Sequence, residues 1–414
     1  MCPDGYVYNL EVEGTHTYLA EGCVVHNCGE AHEELSRFVG VRLSQRECLQ
    51  LALDDWPDNT RVESWSEWSQ QQDRGVVKRL KNWEEKMKSS AVRSWPKEVR
   101  WLRDMHRKLA RLGGMQARDE WIPHQQEGHG SYGPSMSFTP LEPARYAERA
   151  LWRGVKKIVL MSATIRPKTA ELLGIKPEEM KFIEYPSTFD KRRRPVYVVP
   201  SVMVNYRTEK DDRMMLQWLH RMDSFMETRQ HSKGIIHAVS YNRAQFIKNN
   251  SGLGAWMMTH DSRSRARVVE EFREATAPAV LVSPSIDTGY DFPDDVARWC
   301  VVAKIPFQSV NDPVIKARKQ RDPDYITLQV ADTLQQMTGR IVRSPSDFGE
   351  SVILDDSFAN YFFRMARKFL ANWWVESLVW CESVPGGGTG VGEVGETGET
   401  GEVEELRMLA TSEG

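Results

Sequence analysis

The feature that most restricts the fold is a rhythm running through residues 154 to 384. Short apolar runs, "KKIVLM", "GIIHAV", "AVLVS", "RWCVVA" and "SVILDD", are separated by stretches with helical spacing. One such stretch, "SRARVVEEFREA", sets Val268, Val269 and Phe272 on one helical face. Runs this short and this continuously apolar predict strands buried on both sides, and strands alternating with helices predict a parallel sheet covered on both faces. Ligands of such α/β sheets collect at the carboxyl ends of the strands, so functional residues are sought there.

The 414 residues allow two or three domains, and 40% hydrophobic with 27% charged residues is the balance of a globular chain. No apolar run reaches the ~18 residues that span a bilayer, and the amino terminus lacks the basic and apolar regions of a signal peptide. A cytoplasmic protein without a membrane partner is expected. Six cysteines, at 2, 23, 28, 48, 300 and 381, show neither a CxxC pair nor metal-site spacing, so free thiols are expected. Residues 385–414 carry seven Glu and one Arg in a Gly/Glu/Thr stretch and read as a disordered acidic tail. The rest is only mildly basic, which confines any nucleic-acid site to a local patch.

Residues 49–135 differ in character. Seven of the 14 Trp fall between 56 and 121, and Val76, Leu80, Trp83 and Met87 share one helical face. A second helix, with Val99, Leu102, Leu109 and Leu112, stops at Gly113-Gly114. Tryptophans at helical spacing favour a helical subdomain packed on its own core over a lobe that stacks indoles on single-stranded bases.

At the amino terminus, "GYVYNLEVEGTHTYLAEGCVVHNC" shows strand-like runs broken at Glu13-Gly14 and Glu21-Gly22. Its end carries a specific chemistry. An Asn amide nitrogen can attack its own backbone carbonyl and cleave the bond that follows, helped by a neighbouring imidazole, while a thiol just beyond can receive an acyl group. Residues 5–28 resemble the C-terminal splicing region of inteins. The resemblance implies that Asn27 cyclises, His26 assists, Cys28 is the acceptor nucleophile and His16 is the upstream block histidine. Asn9 departs from the Asp usual in that block.

Further along, "LMSATI" follows an apolar run, and its Ser162, Ala163 and Thr164 offer hydroxyls suited to sensing a nucleotide. "GIIHAVSYNRA" ends a run with Ser240 and Tyr241. "LVSPSIDTGYDFPDDVARW" ends another with Ser283, Ser285, Thr288, Gly289 and Asp291. Glycine permits close backbone approach, and the Asp can accept from a ribose or a water. Turn chemistry is the plain alternative for each. "QMTGRIVRS" is more specific, since Gln336, Gly339, Arg340 and Arg343 fit QxxGRxxR. As a helix it would align 336, 340 and 343 on one face. Two guanidiniums aimed together supply what a γ-phosphate in transfer needs, with a Gln to orient the attacking water.

These segments together resemble the second half of a superfamily 2 helicase of the XPD/DinG-like group, over roughly residues 136–370. The resemblance implies an α/β fold. It would comprise the RecA-like helicase domain 2, part of RecA-like domain 1, a helical Arch-like insertion and the small N-terminal β intein fragment. It also implies ATP with Mg2+, and single-stranded DNA contacted through Ser240, Tyr241, Ser283, Ser285 and Thr288. The expected boundaries are 1–27 intein segment, 28–48 helix after motif II, 49–135 insertion, 136–175 rest of domain 1 with motif III, 176–384 domain 2 and 385–414 tail. "GEAH" at 29–32 would put Gly29 where a DEAH box has its Mg2+-holding Asp; joined at Cys28 to an upstream extein ending in Asp-Glu, the box would instead begin Asp-Glu-Cys28-Gly29, with Gly29 in the usual His place. GxxxxGK[ST] occurs nowhere in the chain. The chain is therefore expected to be inactive alone. Its expected partner is an N-terminal helicase half bearing the N-terminal intein portion, the phosphate loop and the Mg2+ ligands. The alternative is a non-catalytic single-stranded DNA-binding remnant.

Overall fold

The computed structural model describes residues 17–20, 23–27, 31–89, 97–116, 120–127, 133–286, 289–309 and 311–386. The chain forms two compact units, one of residues 1–181 with 309–323, the other of residues 182–308 with 324–414. No described helix is long and apolar enough to cross a membrane.

In the first unit, strands β1 (Thr17–Ala20) and β2 (Cys23–Asn27) form an antiparallel hairpin on either side of Glu21-Gly22. Three further strands, β3 (Val41–Ser44), β4 (Trp121–Gln126) and β5 (Ser135–Pro140), make an antiparallel sheet in the order β3-β5-β4. Strand β6 (Ile158–Met161) pairs in parallel with β2, His26 opposite Leu160 and Asn27 opposite Met161. The expected helical pair is present as Val62–Ser89 and Lys97–Gly113, with Val76, Val99, Leu102, Leu109 and Leu112 all buried. Ser66 Oγ and Gln70 Nε2 donate to the Gly113 carbonyl at 2.9 and 2.7 Å, closing the second helix where the sequence predicts its stop.

Tryptophans fill this core. Trp65 meets Trp56, Trp68 and Phe138 edge-on, with ring centroids 5.4, 5.6 and 5.4 Å apart. That geometry aligns ring edges with π faces and adds to the area term. Trp101, on the second helix, is half exposed. The region expected to be helical also contributes β4 to a sheet, so it shares one core with its flanks. Residues 309–323, expected within the second domain, are part of the first unit, where Arg318 donates to Ser36, Pro140 and Leu141.

The second unit is built on a seven-stranded parallel sheet. Its strands are β7 (Val196–Val198), β8 (Gly234–His237), β9 (Met257–Thr259), β10 (Val280–Ser283), β11 (Trp299–Val302), β12 (Glu350–Ile353) and β13 (Leu378–Trp380), in the order β13-β7-β12-β11-β8-β10-β9. Successive residues face opposite layers. Ile236, Val282, Val301 and Trp299 pack with Trp218 and Phe225, whereas Ile235, Leu281 and Cys300 pack with Val269 and Phe272 of the Arg265–Glu274 helix. Burial of both faces explains the unbroken apolar runs.

Two residues lock this sheet. Gly234 stands opposite Trp299, and a Cβ there would fall 2.0 Å from the indole, so the close approach admits only glycine. Asp355, buried after β12, accepts from the amides of Val204 (3.1 Å), Ser357 (3.0 Å) and Ile305 (2.9 Å). One carboxylate thus ties the segments after β7, β11 and β12.

Candidate functional site

The site grows from the end of the Pro323–Thr338 helix, which is buried along Leu328, Ala331, Leu334 and Gln335. The helix stops at Thr338, whose hydroxyl donates to Leu334 O at 3.2 Å and accepts from Trp374 Nε1 at 2.7 Å. The expected helix over 336–343 is therefore cut short. Gly339 still bonds back to Gln335 O at 3.1 Å, and the following residues run as an irregular segment. Ile341 and Val342 turn into the core, against the sheet face formed by Ile235, Leu281 and Cys300. Burying those two apolar side chains sends Arg340 and Arg343 to the other side of the segment.

There the two arginines meet one carboxylate. Arg340 Nη1 donates to Asp291 Oδ1 at 3.4 Å and to Tyr290 O at 3.0 Å, and Arg343 Nη2 donates to the same Asp291 oxygen. The main chains also join, Phe292 N to Arg340 O at 3.1 Å. Side-chain exposure is 13% for Arg340, 37% for Arg343 and 58% for Asp291, so the pair is rooted in protein and open at its carboxylate end. Two cations facing one anion leave a net positive charge at that opening. Gly289, just before, has φ +79°, a conformation that favours glycine, with no atom within 4 Å of a would-be Cβ. Asp291, read from sequence as an acceptor for ribose or water, here accepts from the two arginines instead.

Three residues supporting this arrangement escaped the sequence reading. Asp347, buried, takes the Arg343 amide at 3.0 Å, the Asp294 amide at 3.3 Å and Arg298 Nη1 at 2.7 Å, fixing the segment behind the arginines. Its signal was Ser344, whose hydroxyl accepts from the Asp347 amide at 3.1 Å in a local turn. Arg298 is held in turn by Asp295 and the Phe348 carbonyl. His237, at the end of β8, is fully buried and hydrogen-bonds the backbone at Met337, while its Nε2 has no partner. Burial first, and the Arg340 charge second, lower its pKa from 6.5 to about 3.

The carboxyl ends of β8 and β11, where a ligand was expected, hold a closed ion cluster. Arg243, buried, donates to Ala238 O at 2.6 Å and to Glu209, and Lys304 lies 3.7 Å from the same Glu209. The QxxGRxxR arginines meet the segment Tyr290-Asp291, with Ile341 and Val342 between them packed on one face of the sheet.

Ser240 caps the Tyr241–Asn250 helix by accepting from Arg243 N at 3.2 Å, and Tyr241 is exposed with its ring edge-on to His260. Ser283, expected to contact DNA, is fully buried. Its Oγ is bonded to His260 Nε2 at 2.7 Å and accepts from Ser285 N at 3.2 Å, so it supports the loop from within. Ser285 is half-buried, and its carbonyl accepts from Arg265 at 3.2 Å. In the first unit, Ser162 Oγ lies 3.3 Å from both the Thr164 hydroxyl and its amide, with Thr164 buried and Ala163 exposed. Gln336 is half-buried in the last helical turn. His26 and Asn27 lie on β2, whereas His16, Cys28 and Thr288 fall outside the described residues. Among the described residues no group of three or more His, Cys, Asp or Glu is placed to hold a metal ion.

Residues 219–377 match the family model of the helicase C-terminal domain. That span contains β8 to β12 and the converging arginines. The ATP-dependent DNA helicase DinG of Escherichia coli (strain K12) is 25% identical over 228 residues, 50% of this chain and 32% of that protein. The 3'-5' exonuclease DinG of Bacillus subtilis (strain 168) is 24% identical over 258 residues, 57% of this chain and 27% of that protein. The match thus spans about a third of the length of these curated relatives. Among solved structures, an XPD helicase superposes with TM-score 0.48 at 14% identity, covering 86% of this chain and 68% of that one. Most of the matched span lies in the second unit, and it is there that the chain is similar to the helicase C-terminal domain and to DinG-type helicases.

Proposed function

We propose that this chain supplies the arginine-bearing half of an ATP-dependent DNA helicase. The observation that carries the reading is the convergence of Arg340 and Arg343 on a single carboxylate oxygen of Asp291. That carboxylate is an internal anion for both guanidiniums. Phosphate oxygens have the same geometry and more charge, so they compete for the same donors.

ATP, when bound, supplies the triphosphate whose terminal group passes to water. Arg340 and Arg343 hold charge on that group, Gln336 orients the water, Gly289 and Asp291 border the nucleotide and Gly339 lets the motif turn. Ser162, Ala163 and Thr164 pass the nucleotide state to the DNA path. Single-stranded DNA is contacted mainly at its phosphates, by Ser240, Tyr241, Ser285 and Thr288. The Ser240 hydroxyl remains a donor after its lone pair has capped the helix. Mg2+ and the phosphate-cradling loop are assigned to a preceding N-terminal half, whose terminal Asp-Glu, joined at Cys28, would supply the box carboxylates and leave Gly29 in the place of the usual His.

Residues 1–27 are read as the C-terminal segment of an intein, joining the two halves through His26, Asn27 and Cys28 with His16 upstream. The support is the sequence pattern over residues 5–28 and the hairpin about Glu21-Gly22. Mixing the chain with the upstream gene product tests both proposals. A ligated product heavier by the upstream part and lighter by residues 1–27, with ATPase stimulated by single-stranded DNA, is expected. Binding of DNA indifferent to ATP after ligation would instead identify a non-catalytic binding module.

A further inference from the structure

Residues 309–323 lie in sequence between β11 and the helix that ends at the QxxGRxxR arginines, yet they belong to the first unit. The chain consequently crosses between units three times, after residues 181, 308 and 323. The excursion contains the helix Pro313–Arg321, "PVIKARKQR", a sequence too polar to dock by an apolar face. Only Val314 and Arg318, one turn apart, are buried on it.

Arg318 is the anchor. Its Nη2 donates to Ser36 Oγ at 2.7 Å and to Pro140 O at 3.0 Å, and its Nε to Leu141 O at 3.3 Å. Two ion pairs flank it, Arg321 Nε to Glu142 at 2.9 Å and Lys168 Nζ to Asp322 at 2.8 Å. Ser36 sits on the helix Ala31–Val39, whose first two residues are the Ala and His of "GEAH" and which buries His32 in its first turn. The charge of Arg318 reaches His32 as well, adding to burial in lowering that imidazole to about 3. At its other end the excursion runs from Asp322 straight into Pro323–Thr338, the rod that delivers Gln336 and Arg340.

We infer that Arg318 is a positioning residue that makes residues 309–323 a coupling strap, fastening the helix Ala31–Val39 to the chain that carries the arginine motif. A shift of either is then delivered to the other through a planar five-donor group held by acceptors from three residues. A buried guanidinium stripped of water tolerates few other arrangements, which suits an all-or-none clip. The purpose assigned to the strap rests on the proposed motor; its geometry does not.

Hydrogen exchange of the full chain tests this, followed by mass spectrometry on peptides covering 31–39, 313–321 and 324–338, with and without oligodeoxythymidine. The wild-type chain is expected to change exchange at 31–39 when DNA binds. In Arg318→Met that response disappears and basal exchange at 31–39 rises by about tenfold or more, while peptides of the second unit still respond. Arg318→Lys keeps the charge without the fork and falls between; Ser36→Ala, which removes one acceptor only, serves if the Met variant fails to fold. A response at 31–39 that survives in Arg318→Met or Ser36→Ala, or that is missing from a wild-type chain whose second unit responds, overturns the inference. Should DNA alter nothing anywhere, the motor reading fails, and a urea series decides the strap separately. Peptides 31–39 and 313–321 must lose protection together in wild type and apart in Arg318→Met; separate loss in wild type overturns it.

Discussion

Strands β6 and β11 come from nearly interchangeable sequence, "KKIVLM" and "RWCVVA", and end in different circumstances. In the second unit Trp299, Cys300, Val301 and Val302 are all buried, because helices and neighbouring strands close both faces. In the first unit Ile158 and Leu160 face the core, while Val159 and Met161 are 40% and 43% exposed. An apolar run encodes a strand. Whether both faces are buried depends on what else the chain brings to them, which the run itself does not contain.

The units also differ in what holds them. The first relies on interlocked indoles and buried polar anchors, the second on seven strands in register with Gly234 and Asp355 at tight points. Substitutions should therefore act locally. Trp65→Ala is expected to cost about 3 to 5 kcal/mol, since Trp56, Trp68 and Phe138 all lose their edge-on partner. Exchange protection should fall in the two long helices and persist in β8 to β12; equal loss in both units would make them one cooperative block. Gly234→Ala, with its Cβ forced against the Trp299 ring, should cost about 3 kcal/mol in the second unit alone.

Acid tests both units at once. His32 in the first and His237 in the second are buried and neutral, each with its pKa lowered from 6.5 to about 3. The unfolded chain takes up those protons below 6.5, whereas the folded chain takes them up only near 3. The stabilisation is therefore complete above pH 6.5 and is lost as pH falls from there towards 3, by up to about 1.4 kcal/mol per pH unit for each histidine. Urea midpoints at pH 7 and pH 5, followed by exchange, should fall in both units, and His237→Asn should flatten the response in the second only.

Much of this was legible. Val268, Val269 and Phe272 marked their helix, the five apolar runs marked their strands, and Val99 to Leu112 marked both a helix and its buried face. The QxxGRxxR spacing identified Arg340 and Arg343 as a pair, although for an imperfect reason. A helical face was invoked, and it is the burial of Ile341 and Val342 after the helix ends that brings the arginines to Asp291. Ser283 was misread because polar residues at strand ends invite a surface role, and its partner His260 lies 23 residues away. Arg318 left no signal, since a basic residue in "PVIKARKQR" reads as solvated surface until Ser36, Pro140 and Leu141 are placed around it in space. Periodicity reports the face of an element, not the long-range hydrogen bond that buries a charge.

The most direct test of the central claim is the DNA-stimulated ATPase rate of the chain joined to its upstream half, measured for wild type, Arg340→Ala and Arg343→Ala at saturating ATP. The account predicts stimulated hydrolysis in wild type and a fall of about 10³ in kcat for each variant with DNA binding retained. Hydrolysis that survives loss of both guanidiniums would contradict it.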